Sequence, residues 1–239
     1  MNKTAIIIPS HLAAKRLPNK PLLKINNKSM ILHVWERANK STVEDVFVAT
    51  SDEEIEKEIK SNGGNVIITG KHHTTGSDRI YEALKKIKLD YEVIINVQGD
   101  MPNINPETIN MINNFMISNT NVSVSTVASK LYKDELNNKN IVKAITTNDL
   151  KQNKFSKALD FVRSVTNEKF YYHHIGLYAY SRSALSNFVK LDKTYNEINR
   201  SLEQMRFIDH NIDIFVGYTD DNPLSIDTKE DLEKIREIL

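Results

Sequence analysis

Apolar and polar positions alternate in blocks through the first half of the chain, and the blocks predict elements. Ala5–Ile8 is a short apolar run that reads as a strand, and Met30, Ile31, Val34, Trp35 and Ala38 mark one face of a helix with Ser29 placed to cap it. Val46–Ala49 is a second strand, followed by TSDEEIEKEIKSNGG, in which Ser51 or Asp52 caps, glutamates fill the first turn and Gly63-Gly64 stops the helix. Val66–Thr69 is a third strand. Ser77 is placed to cap a helix carrying Ile80, Leu84 and Ile87, and Val93–Val97 is a fourth strand. These strands are continuously apolar, as strands covered on both faces are, and the βαβα order predicts a parallel sheet with right-handed crossovers.

Past residue 120 the rhythm changes. VSVSTVA, VKAITT and HHIGLYAYS are strand-like, a lysine-rich stretch at 148–160 reads as polar connection, and helices are expected near 182–189, 199–208 and 229–238. No repeat and no Gly/Ser linker interrupts the chain. The expectation is a single domain over 1–239, with an inserted strand-rich portion at about 130–200.

The 239 residues carry 32 basic and 31 acidic side chains, so there is no global field to attract nucleic acid or a membrane surface. Any anion site must be local. Absence of cysteine excludes disulfides, zinc–thiolate sites and a cysteine nucleophile. With no signal-peptide pattern and no run of about 20 apolar residues, a cytoplasmic protein is expected.

Local chemistry concentrates in a few stretches. IIIPSHLAAKRLPNKP ends its strand in a loop with His11, Lys15, Arg16 and Lys20, stiffened by Pro9, Pro18 and Pro21. Loops at the C-terminal ends of parallel strands are where open sheets bind ligands, so these cations suit phosphates as well as they suit solvent. In VIINVQGDMP, Asp100 just past a strand is either a Mg²⁺ ligand or a cap for the next turn. In LSIDTKEDLEKIREIL, Thr228 and Asp231 form a capping-box pattern, leaving Asp227 as a second metal ligand or a second anion at the helix start. HHTTGSDR puts Gly76 before a helix, where backbone N–H groups meet an anion or a base edge, or simply form a loop. His173 and His174 are adjacent on a strand and so point to opposite faces, and Leu202, Met205 and Ile208 form a core stripe.

IIIPSHLAAKRLPNKPL, NVQGDMP, HHIGLYAY, LEQMR and IDTKEDLE, in this order and spacing, resemble the bacterial 3-deoxy-manno-octulosonate cytidylyltransferase (CMP-Kdo synthetase) family from Ile6 to about Leu232. The resemblance implies a nucleotidyltransferase-type, Rossmann-like α/β fold: a mainly parallel sheet flanked by helices, with an inserted dimerisation and sugar-binding portion. It also implies a homodimer that joins CTP to Kdo, giving CMP-Kdo and pyrophosphate for lipopolysaccharide assembly. By position, Lys20, Asp100 and Asp227 are the implied catalytic residues, with Mg²⁺ held by Asp100 and Asp227. His11, Arg16, Lys20, Thr75, Gly76 and Arg79 are implied for the nucleotide. Gln98, His174, Tyr178, Glu203 and Gln204 are implied for the sugar acid. The chain departs from the family pattern at His11 (usually Arg), Met101 (usually Glu), Lys157 (usually Arg) and Arg200 (frequently Glu). The alternatives are another sugar-acid acceptor or a nucleotide-binding protein without turnover.

Overall fold

Ala5, Ile6, Ile7 and Ile8 are fully buried in β1 (Thr4–Pro9), which explains why that strand has no polar face. Burying each large apolar side chain contributes about 1.5–3 kcal/mol, so this run anchors the sheet. The computed structural model describes residues 4–13, 16–165 and 170–239. Lys15 of the cationic loop lies outside the described residues.

After β1 come a short hairpin, β2 (Lys24–Ile25) and β3 (Lys28–Ser29), then α1 (Met30–Asn39), β4 (Asp45–Thr50), α2 (Glu53–Ser61), β5 (Asn65–Ile68), α3 (Gly76–Lys86), β6 (Val93–Asn96) and α4 (Pro106–Ser118). Next are β7 (Val124–Lys130), β8 (Lys143–Thr146), α5 (Leu150–Asn153), β9 (Phe155–Val162), β10 (Tyr171–Ser181), α6 (Arg182–Phe188), α7 (Tyr195–Arg200), α8 (Met205–Asp209), β11 (Ile214–Tyr218) and α9 (Lys229–Ile238). The chain forms two compact units, one running to Asn113 and resuming over Pro223–Leu239, the other Asn114–Asn222.

In the first unit the strands run in the order β5-β4-β1-β6, all parallel. The C-terminal helix and the residues before it join this unit by burying Ile226, Leu232 and Ile235 against Leu17, Ile25 and Met30. In the second unit the order is β10-β7-β11-β9-β8, and β8 pairs with β10 as well as β9, so the pairing closes on itself. Among the described residues of that unit, only β11–β7 is parallel. The fold is therefore mixed α/β, and the mainly parallel arrangement expected from the sequence describes the first unit alone.

Several expectations are corrected. Ser29 does not cap α1, because its hydroxyl donates to Glu58 Oε1 at 2.6 Å. Asp52 precedes α2 but its carboxylate accepts from the Leu12 amide at 2.9 Å. The α3 cap is Thr75, whose hydroxyl accepts from Asp78 N, while Ser77 is buried as the helix's second residue. The polar stretch 148–160 contains most of β9, whose buried Ser156 and Ala158 alternate with exposed Lys157 and Leu159. The helix expected at 199–208 is broken into α7 and α8 at Ser201, whose φ of 52° is left-handed. Leu202 and Met205 are buried as expected, whereas Ile208 is only half-buried. Gly63 does end α2: at φ 82° it allows the Gly64 amide to reach Ile59 O and its own amide to reach Lys60 O. Among the described residues no helix is long and apolar enough to cross a membrane.

Candidate active site

The loop after β1 is fixed by contacts at both ends. Ser10 N extends the parallel ladder to Ala49 O, Leu12 N is tied to Asp52, and Leu17 is buried in the core with α9. Asn19 takes a left-handed φ of 55° and starts a 3-10 turn, Lys20–Leu22, in which Pro21 supplies a preset φ. The turn delivers the Lys20 side chain to one point. Its Nζ donates to Asp100 Oδ2 at 2.7 Å, Asp227 Oδ1 at 3.2 Å and Ile226 O at 2.7 Å.

Backbone pairing makes that convergence possible. Asp100 follows β6, and its carbonyl accepts from Ile226 N at 3.0 Å, which brings residues 226 and 227 alongside. Asp231 Oδ2 then accepts from both Asp227 N and Thr228 N at 3.0 Å, completing the capping box of α9. Because Asp231 serves the helix start, the Asp227 carboxylate is turned to the cations instead: Arg16 Nη2 lies 3.0 Å from its Oδ2. Asp100 likewise pairs with Lys20 and does not cap a turn in the manner its position allowed. Burial opposes charge on Lys20, but Asp100 and then Asp227 outweigh it and hold its pKa above the ordinary lysine value. The ammonium is therefore a permanent cation between two carboxylates.

Lys20 and Asp100 line a cleft with Pro9, His11, Thr75, Gly76, Arg79 and Gln98. Gly99 is needed where the ends of β1 and β6 approach, since a Cβ there would sit 3.1 Å from Pro9 O. Arg79 is 4% exposed and donates to Thr69 Oγ1 at 2.6 Å and Gly70 O at 3.3 Å, so it braces the cleft from behind. Thr75 bonds both the amide and the carboxylate of Asp78, locking the start of α3. Partial burial and the Arg79 guanidinium lower the His11 pKa, Asp52 acting the other way. At neutral pH His11 thus supplies hydrogen bonding and no charge. Gln98, grouped with the sugar residues on resemblance, lies in this cleft beside the nucleotide set, its amide donating to Asn96 Oδ1 at 3.2 Å. Ser10, His73 and the Ile226 carbonyl also belong to the site and escaped sequence reasoning. Ser10 was legible only as a loop residue, and a backbone carbonyl leaves no sequence signal.

In the second unit, His174 Nε2 contacts Thr126 Oγ1 at 3.0 Å, and that hydroxyl donates to Leu177 O at 2.8 Å. The same hydroxyl also reaches Ile175 O at 3.2 Å, so it ties the imidazole to the β10 backbone. The ring is surrounded by Phe161 and Tyr178, with centroids 5.0 and 5.5 Å away, and burial pushes its pKa down to about 3. His173 points elsewhere, to Glu135 at 2.9 Å, as the strand alternation requires. Burial, then Tyr180 and Glu203, raise the Tyr178 phenol pKa well above normal. Glu203 and Gln204 lie in the turn between α7 and α8, not within a helix. The departures from the family pattern are accommodated: Met101 is 3% exposed in the core, Lys157 pairs with Asp213 at 2.6 Å, and Arg200 pairs with Asp160 at 2.6 Å.

The profile of the Cytidylyltransferase family matches residues 5–214. The 3-deoxy-manno-octulosonate cytidylyltransferase of Bartonella quintana (strain Toulouse) is 42% identical over 243 residues, covering 99% of this chain and 98% of that protein. The protein of the same name from Rhodopseudomonas palustris (strain BisB18) is 39% identical over 242 residues, covering 99% and 98%. Among solved structures, CMP:2-keto-3-deoxy-manno-octonic acid synthetase complexed with CTP superposes with a TM-score of 0.91 at 33% identity, over 99% of this chain and 98% of that one. A cytidylyltransferase from Leptospira borgpetersenii shares the fold at 18% identity and a TM-score of 0.68, over 99% of this chain and 86% of that one. On likeness that runs through both units, the chain belongs to the cytidylyltransferase family and, within it, to the 3-deoxy-manno-octulosonate cytidylyltransferases.

Proposed function

We propose that this chain transfers the cytidylyl group of CTP to 3-deoxy-D-manno-octulosonate, giving CMP-Kdo and pyrophosphate for lipopolysaccharide biosynthesis. The observation that carries the reading is the Lys20 ammonium held between Asp100 and Asp227 at the mouth of a parallel sheet. In the reaction the anomeric hydroxyl attacks the α-phosphorus in line, the bond to the bridging oxygen breaks, and pyrophosphate leaves. That step needs positioning and charge stabilisation more than covalent help from the protein.

The residues divide the work accordingly. Arg16 and Lys20 exchange carboxylate partners for triphosphate oxygens, Arg16 through its planar fork and Lys20 as a point charge. Neutral His11 hydrogen-bonds without adding to the positive charge. Thr75, Gly76 and the braced Arg79 shape the start of α3 for the nucleotide. Gln98, His174, Tyr178, Glu203 and Gln204 are assigned to the sugar acid on the family resemblance. Asp100 and Asp227 offer only hard carboxylate oxygens directed at one cationic centre, a donor set that fits Mg²⁺. When bound, the ion supplies charge neutralisation on the phosphates and lowers the pKa of a coordinated hydroxyl. A cytoplasmic setting follows from CTP as donor. A homodimer is supported by Tyr195, Ile198 and Leu159 of the second unit, which are 78%, 64% and 51% exposed.

Pyrophosphate release in the presence of CTP, Mg²⁺ and a panel of sugar acids tests the proposal. Kdo is expected to be the preferred acceptor, and Asp100→Ala to lower turnover by at least about a hundredfold. Wild-type turnover in that variant would remove Asp100 from the catalytic role, and preference for another acid would reassign the substrate.

A further inference from the structure

A second cluster of ligand-type side chains adjoins the cleft that Asp100 lines, sharing His73 with it. His72, His73 and Glu82 each present one ligand atom, and these atoms lie within 4.8 Å of one another. His73 Nε2 is in direct contact with Glu82 Oε2, and the two imidazole rings have centroids 4.3 Å apart. The surroundings hold the three in place. Gly70 N donates to Glu82 Oε2 at 3.0 Å, and Lys86 Nζ lies 2.6 Å from Oε1. The His72 ring packs over Gly70, where a Cβ would sit 2.4 Å from it and would turn this exposed side chain aside.

The donor set decides the ligand. Two imidazoles and one carboxylate suit a borderline transition metal, with water in the remaining position, whereas Mg²⁺ prefers oxygen alone. We propose that His72, His73 and Glu82 form a binding site for one divalent transition-metal ion of the zinc type. On binding, the direct His73–Glu82 contact gives way to coordination, each side chain offering the ion the atom it now turns to the other. His73 also lines the nucleotide cleft with Thr74, Thr75 and Gly76, so the bound ion ties the loop entering α3 to the body of that helix. The site stands independently of the cytidylyl-transfer reading.

The test uses the intact chain without nucleotide. Titration with Co²⁺ is expected to give visible d–d bands saturating at one ion per chain, quenched by Zn²⁺ and untouched by millimolar Mg²⁺. Calorimetry with Zn²⁺ is expected to show His72→Ala weakening affinity at least about tenfold. His72 is exposed, so that variant is expected to retain its fold by circular dichroism. Glu82→Gln, which keeps the shape and removes the charge, is expected to weaken binding similarly. No saturable Co²⁺ or Zn²⁺ binding by the wild type would overturn the proposal. So would wild-type affinity in both variants, which would place any bound metal on other histidines.

Discussion

Lys20 illustrates what one residue gains from its position. Asp100 and Asp227 would repel one another across the space that the ammonium fills, so Lys20→Met removes a phosphate cation and leaves both carboxylates uncompensated. The expected result is a loss of about 10²–10³ in kcat/KM for cytidylyl transfer, measured by pyrophosphate release. Its raised pKa adds stability that is fully present below the unfolded lysine value and fades only as pH rises through the higher folded one, so it is constant across neutral pH. His174 behaves oppositely. Its folded pKa is about 3, against an ordinary value near 6.5, so below that ordinary value the unfolded chain takes up a proton that the folded chain refuses. Stability should therefore fall with pH through that window, by at most about 1.4 kcal/mol per pH unit from this group. Urea unfolding at several pH values, compared between wild type and His174→Gln, isolates the contribution: the variant should show the shallower slope. His174 was visible in the sequence as a histidine on a strand, but its neutrality was not, because burial among Phe161 and Tyr178 is a tertiary fact.

At the scale of elements, side-chain patterns located most of the first unit and, in the second, β7, β8, β10 and α6, but misread 148–160 and 199–208. β1, β4, β5 and β6 emerged at the expected places, β1 and β6 covered on both faces and β5 left as a half-exposed edge strand. β9 did not, since its exposed face carries Lys157 and its strand character comes from pairing with β8 and β11. β11 and α4 went unanticipated as well. Glu197 completes the Thr194 capping box of α7 while its carboxylate takes two hydrogen bonds from Arg206 of α8, both side chains almost fully buried. Removing one member leaves a buried charge alone, so Glu197→Ala should cost about 3–5 kcal/mol in urea unfolding. Because this pair lies beside Glu203 and Gln204 in sequence, the same variant should weaken Kdo binding more than CTP binding. At α9, Thr228→Ala should cost about 1 kcal/mol and Thr228→Ser much less, by the same measurement.

At the scale of the whole molecule, exposed Tyr195 and Ile198 on α7 and Leu159 on β9 bear on assembly. The Arg200–Asp160 ion pair ties that helix to that strand. Sedimentation should report a dimer for the wild type and a shift toward monomer for Ile198→Asp, with circular dichroism unchanged; a monomeric wild type would refute the assembly. The chain leaves the first unit at Asn113 and returns at Pro223, and that return brings Asp227 to Lys20, 207 positions earlier in sequence. What the sequence alone determined was local: apolar runs, capping residues, the cationic loop and both aspartates follow from periodicity and residue chemistry over a few neighbouring positions. What tertiary structure decided was which of those residues meet. The Asp100 carbonyl accepting the Ile226 amide, the Asp231 carboxylate taking over the helix cap, and the Lys20 ammonium closing the set depend on contacts between distant segments, which no local pattern encodes.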